Sequence, residues 1–321
     1  MDPISTIKAT FTGRRMPGPL PAVQPDWLDP AVYPFQSRYL SLDGHHIHYI
    51  DEGSGPLLLF LHGNPLWSFQ YRRIIDPLRK QFRCIALDYP GFGLSQARPG
   101  YTNTLTGNST LVERFIQALA LNDITLVVFD TSVSIGLGVV ARHPDWFRAL
   151  VISNGFAWPL TEDPGIHRFI RIVASPFFRF LVVNFNLLLR YTVSGLDRQS
   201  KSGLDRISKS RLLESEQRAY LMPFADRGQR RHQHDLFRSI ANSRDYLLDL
   251  KNRLPELRHF PVLLAFADGD PTYKAGWLQR YERIFPDHTS VRIEGSHHFP
   301  QEYDPEAMVR AIRDWWEGEI A

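Results

Sequence analysis

Short apolar runs alternate with segments of helical period along most of the chain. The runs are typical of strands buried on both faces of a sheet, and the segments between them place apolar residues three and four positions apart. The predicted strands are residues 37–42, 45–51, 57–61, 82–87, 124–129, 149–153, 261–267 and 290–293. The predicted helices are residues 68–80, 106–120, 133–143, 274–285 and 304–317. This alternation predicts an α/β fold with a mostly parallel central sheet flanked by helices.

The alternation stops over residues 156–245, which are rich in Phe, Leu and Arg and indicate helices without strands between them. The segment follows the end of a predicted strand, where open α/β sheets bind ligands, so we expect an inserted helical cap domain. Residues 1–36 carry many prolines and predict an extended N-terminal arm. The core then comprises residues 37–155 as its first part and residues 246–321 as its second part.

The composition excludes several classes of protein. Of 321 residues, 43% are hydrophobic and 22% are charged, as in a folded globular chain and unlike a disordered one. The single cysteine, Cys84, excludes a disulfide framework and a cysteine zinc site. The net charge is only +3 and the arginines are scattered, so we expect no nucleic-acid partner. No segment fits a signal peptide or a membrane span, which predicts a cytoplasmic protein without an integral membrane segment.

Residues 169–191 interleave Phe, Leu and Val with Arg, and this pattern has two interpretations. One is a helix that lies on a membrane surface. The other is a cap helix that packs on the core and lines a substrate tunnel, and we favour it. An exposed apolar cap would also fit a homo-oligomer or long-chain substrates.

Side chains with useful chemistry follow four of the predicted strands, at residues 62–65, 130–132, 268–270 and 297–299. An order of nucleophile, acid and histidine along the chain is that of α/β-fold hydrolases. We therefore predict a catalytic triad in which Asp130 is the nucleophile, Asp270 orients the histidine and His298 is the general base. Backbone N–H groups of Thr131 and the Asn64 loop would form an oxyanion hole.

A carboxylate nucleophile limits the reaction. Attack on an ordinary ester would give an unproductive anhydride, whereas attack on a saturated carbon with a leaving group gives an alkyl-enzyme ester. Water activated by the histidine would then hydrolyse that ester. Carboxylate, imidazole and water suffice for this chemistry, so no cofactor is expected.

Other assignments remain open. Ser134 lies in a small-x-Ser-x-small pattern and is the minor alternative nucleophile, one turn into the predicted helix. Asp268 competes with Asp270, and a turn carboxylate is the simpler interpretation of Asp268. His297 competes with His298. We expect no metal site, because pairs of histidines occur without a third ligand nearby.

Several motifs resemble those of haloalkane dehalogenases. They are HGNPLWSF at residues 62–69, DYPGFGLS at 88–95, YLMPF at 220–224 and GSHHFPQE at 295–302. The similarity spans roughly residues 26–317. It implies the α/β-hydrolase fold with an inserted helical cap, and it aligns the family's catalytic histidine with His298. Related enzymes include epoxide hydrolases and β-lactone decarboxylases.

The chain departs from this family beside the nucleophile. The family has a tryptophan there, whose indole N–H holds the departing halide together with the side-chain amide of the motif's asparagine. Asn64 is present, but Thr131 replaces the tryptophan. Removal of one comparable donor costs about 3–4 kcal/mol. The pocket candidates are Trp67, Trp158 and Phe299.

The resemblance implies a hydrolase of the haloalkane dehalogenase-like type, acting on small to medium hydrophobic halogenated substrates. The alternatives on the same triad are a β-lactone decarboxylase and an epoxide hydrolase, in which the leaving oxygen stays attached to the substrate. A hypothesis of another class is a non-catalytic ligand-binding protein on a decayed hydrolase scaffold. The expected partner in each case is a small hydrophobic organic molecule.

Overall fold

The computed structural model describes residues 24–199 and 212–320, and within them the chain builds one eight-stranded sheet. The strand order is β1-β2-β4-β3-β5-β6-β7-β8. The first two strands pair antiparallel, as do β2 and β4, and all other neighbours are parallel. The strands are β1 Arg38–Leu42, β2 His45–Glu52, β3 Leu57–Leu61, β4 Arg83–Leu87, β5 Ile124–Phe129, β6 Phe147–Ser153, β7 Val262–Ala267 and β8 His288–Ile293. The predicted α/β class and mostly parallel sheet are confirmed.

Helices follow the strands as the alternation predicts. The core helices are α1 Arg72–Leu78, α2 Leu105–Ala118, α3 Thr131–Arg142, α10 Pro271–Lys274, α11 Trp277–Ile284, α12 Pro300–Tyr303 and α13 Pro305–Trp315. The predicted helix over 68–80 begins later, because residues 68–71 form a 3₁₀ turn. The predicted helix over 274–285 is broken at Gly276, which adopts a left-handed conformation with φ of 78°.

Between β6 and β7 the described residues form helices and no strand. We call residues 156–245 the helical insertion. Its helices are α4 Pro164–Val173, α5 Pro176–Phe185, α6 Leu187–Gln199, α7 Glu214–Leu221 and α8 Arg227–Asn242, and α9 Arg244–Arg253 crosses its predicted end. In the part of the chain that the structure describes, no helix is long and apolar enough to cross a membrane.

The N-terminal arm is only partly described. Residues 1–23 of the predicted arm lie outside the described residues, and residues 24–36 form turns and irregular chain. Three apolar side chains of that part, Leu28, Tyr33 and Phe35, are buried against the core. Burial of these side chains holds the described part of the arm on the protein surface.

A buried charged cluster joins the insertion to the core. Arg72 of α1 is hydrogen bonded to Glu216 of α7 at 2.6 Å and to Glu302 of α12 at 3.0 Å. The Tyr220 hydroxyl of α7 donates to the same Glu302, and Arg73 also contacts Glu216. Burial alone would raise the pKa of Glu216, but the two guanidinium groups outweigh it and hold that pKa below its usual range. The cluster therefore connects α7 to the helix that directly follows the His298 loop.

Candidate active site

Asp130 stands at a sharp turn between β5 and α3. Its φ of 55° and ψ of −127° lie in a region that non-glycine residues rarely adopt. The chain can pass this closely because Gly155 has no side chain: a Cβ there would lie 2.4 Å from the Asp130 carbonyl oxygen. The Asp130 N–H donates to the Ser153 carbonyl oxygen at 3.2 Å and fixes the turn against β6.

Two serines after the turn are used to hold the backbone. The Ser132 hydroxyl lies 2.7 Å from the Leu61 carbonyl oxygen of β3 and accepts from the Phe129 N–H at 2.8 Å. The Ser134 hydroxyl donates to the Phe156 carbonyl oxygen at 2.5 Å and is fully buried. Ser134 is thus directed away from the turn, which does not favour it as a nucleophile.

The two carboxylate oxygens of Asp130 have different surroundings. Oδ1 accepts two hydrogen bonds, from the Asn64 N–H at 3.0 Å and from the Thr131 hydroxyl at 2.6 Å. Oδ2 lies 3.5 Å from Nε2 of His298. One oxygen is therefore held by two donors while the other faces the imidazole.

The imidazole of His298 is oriented by a buried carboxylate. Its Nδ1 lies 2.5 Å from Oδ2 of Asp270, and Oδ1 of Asp270 accepts from the Thr272 N–H at 2.5 Å. Asp270 is inaccessible to solvent. Burial by itself raises the pKa of the Asp270 carboxyl, but His298 and the Thr272 donors outweigh it and lower that pKa.

The charge state of His298 follows from its two carboxylate neighbours. Burial opposes the imidazolium, but Asp270 on one side and Asp130 on the other together raise the pKa of His298 to about 10. The resting imidazole is therefore protonated near neutral pH. Loss of the Asp130 charge would remove one of the two groups that raise this pKa.

The competing residues take other positions. Asp268 accepts from the Gly295 N–H at 3.0 Å, as a carboxylate that caps a turn does. His297 points to the ring of Tyr303, with the ring centroids 5.6 Å apart. Neither side chain occupies the position between Asp130 and Asp270 that His298 takes.

The side-chain N–H groups of Asn64 and of the two tryptophan pocket candidates donate to other acceptors. Nδ2 of Asn64 donates to the Gln233 carbonyl oxygen of α8 at 3.3 Å. The indole N–H of Trp67 donates to the Ala219 carbonyl oxygen at 3.1 Å, and that of Trp158 to Asp163 at 3.3 Å. Trp67 and Trp158 are both fully buried. Neither tryptophan directs its indole N–H toward Asp130, because each already has an acceptor outside the site.

A cavity of about 350 Å³ opens beside the imidazole. Phe299, His298 and His297 line it from the core, and Tyr191 and Leu196 of α6 line it from the insertion. Most of this lining is apolar or aromatic, which suits a hydrophobic ligand. Of the three pocket candidates, only Phe299 lines this cavity.

The sequence analysis did not identify two residues that hold the loops of the candidate site in place. Asn154, at the end of β6, donates to the His298 carbonyl oxygen at 3.1 Å and accepts from the Ala267 N–H at 3.0 Å. Gln233 of α8 donates to the Pro65 carbonyl oxygen at 3.1 Å and accepts from Asn64 through its main chain. A polar residue directly after a strand was the available signal for Asn154, whereas nothing in the sequence marks Gln233.

Comparisons with known proteins agree with this architecture. A family model described as alpha/beta hydrolase fold matches residues 56–305. The chain is 31% identical over 287 residues to haloalkane dehalogenase 2 of Mycobacterium tuberculosis, which covers 88% of this chain and 96% of that protein. It is 29% identical over 267 residues to a cis-3-alkyl-4-alkyloxetan-2-one decarboxylase of Shewanella oneidensis, covering 79% of this chain and 80% of that protein.

A solved structure has the same fold. The haloalkane dehalogenase DbeA from Bradyrhizobium elkani superposes with a TM-score of 0.74 at 21% identity, covering 88% of this chain and 98% of that chain. At this identity the likeness bears on the fold and not on the reaction.

Proposed function

The chain belongs to the haloalkane dehalogenase-like family of α/β-fold hydrolases, and on that premise we propose that it hydrolyses its substrate through an alkyl-enzyme ester on Asp130. The observation that carries the proposal is the unequal environment of the two Asp130 oxygens. Oδ1 has two donors, and Oδ2 faces the His298–Asp270 pair. That arrangement suits both halves of a two-step displacement.

In the first step, the Asp130 carboxylate attacks a saturated carbon of the substrate. The new bond joins Oδ2 to that carbon, and the bond to the leaving group breaks with its electron pair on the leaving group. The positive charge of His298 lies beside Oδ2 and limits its reactivity until substrate displaces part of that contact. The products are the ester on Asp130 and the released anion.

In the second step, esterification has removed the charge of Asp130. The pKa of His298 falls because one of the two carboxylates that raise it is now neutral. The imidazolium then releases its Nε2 proton to solvent, and the neutral imidazole takes a proton from water while the resulting hydroxide attacks the ester carbonyl carbon. Negative charge then develops on Oδ1, where the Asn64 N–H and the Thr131 hydroxyl already donate. Collapse releases the alcohol and restores the carboxylate.

The hydrogen bonds of the available side-chain donors favour a second candidate for the reaction, in which no free halide leaves. Asn64 and both tryptophans direct their side-chain N–H groups to main-chain or carboxylate oxygens, which leaves a free halide with few donors. A strained oxygen ring avoids this need, because its leaving oxygen stays attached to the substrate. The second candidate is therefore the opening of a β-lactone, the substrate type named for the Shewanella relative.

A trapping experiment tests the proposal. In a His298→Phe variant the ester should accumulate, because no base activates water. The variant is incubated separately with a bromoalkane, an epoxide and a β-lactone, and intact mass and peptide mapping locate any adduct. We expect an adduct on the peptide that contains Asp130, and the reactive compound identifies the class of substrate.

The control is the double variant Asp130→Asn with His298→Phe, which should form no adduct under the same conditions. Circular dichroism checks that both variants are folded. Adduct on another residue, or equal labelling of the double variant, would overturn the assignment of the nucleophile. A folded His298→Phe protein that reacts with none of the three compounds would overturn the alkyl-enzyme mechanism for these substrates.

A further inference from the structure

Large apolar side chains that face solvent are concentrated in the helical insertion. Phe177 of α5 is 73% exposed and Tyr191 of α6 is 71% exposed. The other large exposed apolar residues identified in the described part of the chain are Phe169, Ile172, Phe180, Phe185, Leu187 and Leu213. Most of these side chains lie on α4, α5 and α6, which follow one another and contact in sequence. Such a concentration marks an interaction surface.

The sequence of these three helices is basic. Residues 164–199 contain five arginines, one aspartate (Asp197) and no Glu or Lys. Arg168, Arg171 and Arg190 are exposed, and Arg179 lies 4.0 Å from Asp235 of α8. Exposed Phe and Ile interleaved with exposed arginines are typical of helices that lie in the interface of an anionic membrane.

A basic cavity of about 560 Å³ lies beside these apolar side chains, between α4, α5 and α8. Arg171, Arg179, Arg238, His167 and His234 contribute to its lining. His234 is 1% exposed, and burial lowers the pKa of its imidazole although the Ser175 and Val173 main chains lie beside it, so it lines the cavity as a neutral group. The guanidinium groups of Arg171, Arg179 and Arg238, gathered in this way, suit a phosphate.

We propose that this face of the insertion docks the protein onto anionic phospholipid membranes. The exposed Phe, Ile and Tyr side chains enter the boundary between headgroups and acyl chains, and the basic cavity takes a headgroup phosphate. The membrane contact is peripheral and does not depend on the reaction proposed for Asp130. Residues 169–191 would then lie on a membrane surface, the first of the two interpretations of their sequence pattern. Tyr191 of the same segment also lines the cavity at His298.

Two other occupants fit the face less well. A symmetric dimer would bring the same patch of both copies together, and the exposed charged side chains described on α4, α5 and α6 are all positive. A free phosphate would account for the basic cavity but would leave the exposed aromatic side chains without a role. An anionic bilayer supplies phosphate and apolar volume together.

Vesicle flotation of the full chain tests the proposal. We expect binding to vesicles of phosphatidylcholine with phosphatidylglycerol, weaker binding to pure phosphatidylcholine, and release by salt. The double variant Phe177→Ser with Phe180→Ser should lower the partition coefficient by at least about tenfold. The double variant Arg168→Gln with Arg171→Gln should lower it by about tenfold on anionic vesicles.

The matched control removes the same number of positive charges from the surface of the core. Arg283→Gln with Arg310→Gln removes two exposed arginines from α11 and α13, and binding should stay at the wild-type level. Equal losses in this control and in the Arg168 and Arg171 variant would overturn the proposal, because the effect would then be one of net charge. A Phe177→Trp probe in the otherwise wild-type chain should shift its emission to the blue on anionic vesicles, and the absence of a shift would also overturn it.

Two further outcomes identify the other occupants. Sedimentation velocity without lipid detects a dimer, and a dimer that the Phe177 and Phe180 variant dissociates, without vesicle binding by the wild type, would assign the face to a second copy. Stabilisation of the protein by inorganic phosphate, lost in Arg171→Gln with Arg238→Gln and again without vesicle binding, would assign the cavity to a free anion. Either result contradicts docking onto a membrane.

Discussion

Two histidine–aspartate pairs lie in different regions of the described chain, and they are similar in geometry. In the pair at the carboxyl edge of the sheet, Nδ1 of His298 lies 2.5 Å from Asp270. In the other, Nδ1 of His48 on β2 lies 2.8 Å from Asp88, which directly follows β4. Each carboxylate also accepts from main-chain N–H groups. The pairing itself therefore does not identify an active site.

The difference lies on the other side of each imidazole. Nε2 of His48 faces the Ser37 hydroxyl at 3.0 Å, and all three residues, Ser37, His48 and Asp88, are buried. Nε2 of His298 faces Asp130, and the His298 side chain retains 32% exposure beside a cavity. A serine–histidine–aspartate set without space for a substrate is structural. Access to the group beyond the imidazole separates a catalytic arrangement from a structural one.

The largest expected difference concerns the residue that faces Nε2 of each imidazole, which is Asp130 in one region and Ser37 in the other. Asp130→Asn should lower turnover by about a millionfold, because the nucleophile is lost. Ser37→Ala removes the equivalent group of the buried set and should leave turnover at the wild-type level, with a loss of about 1 kcal/mol in the free energy of unfolding. Product formation at high enzyme concentration and urea unfolding measure both effects. Loss of turnover in Ser37→Ala would make the buried set part of the site.

The next largest effect on turnover is expected at Asp270, the carboxylate that contacts Nδ1 of His298. Asp270→Asn should lower turnover by about 10⁴-fold, because the amide no longer stabilises the imidazolium that forms when water is deprotonated. Single-turnover kinetics should place the loss in ester hydrolysis and leave ester formation much less affected. An equal loss in both steps would show that Asp270 acts on the fold of the site and not on the base.

Substitution in the buried His48–Asp88 pair should lower the stability of the protein and leave its activity unchanged. Asp88→Ala should lower the free energy of unfolding by about 3–5 kcal/mol, because His48 and the N–H groups of Ser68 and Leu94 lose a buried acceptor. Denaturant unfolding measures the change, and the activity of the folded fraction should stay close to that of the wild type. A variant with unchanged stability would mean that water replaces the carboxylate.

The last expected effect is on the pH dependence of stability. The pKa of His298 is raised from 6.5 to about 10 in the folded state, so its contribution is full below 6.5 and is lost as the pH rises toward 10. Urea unfolding of the wild type should therefore weaken over this alkaline range, and His298→Phe should show a smaller decline.

The loss of stability at low pH does not distinguish the His48–Asp88 pair from the His298–Asp270 pair. The pKa values of Asp88 and Asp270 are both lowered, after His48 and His298 outweigh the effect of burial, so both contributions are lost as the pH falls below 3.8. Equal alkaline slopes in the wild type and in His298→Phe would contradict the raised pKa of His298.

Chain order and strand ends predicted that side chains after β5 and β7 meet at the candidate site, whereas the choice of His298 over His297 and of Asp270 over Asp268 rested on the family resemblance. The carboxyl ends of parallel strands converge at one edge, so Asp130 after β5 and Asp270 after β7 had to come close. The strands were predicted to within two residues at either end, because buried runs are bounded by polar turns. The Asp43-Gly44 turn was equally clear from the residues themselves.

The donors at the site could not be predicted in the same way. Whether Thr131 turns its hydroxyl to Asp130 depends on a side-chain rotation, and whether Asn64 is free depends on Gln233, which is 169 positions away in the sequence. The outward orientation of Phe177 and its neighbours also depends on which face of each helix packs. Apolar periodicity predicts a helix but does not say which of two apolar faces is covered.

The Arg72 cluster limits which helical insertions from related proteins could be combined with this core. Arg72 and Glu302 belong to the core, whereas Glu216 and Tyr220 belong to the insertion and stand four residues apart on α7. An insertion transplanted from a relative without that spacing would leave a buried guanidinium short of a carboxylate, at about 3–5 kcal/mol. The helical segment is thus not an interchangeable module: a chimaera needs a glutamate and a tyrosine at these two positions to be seated on this core.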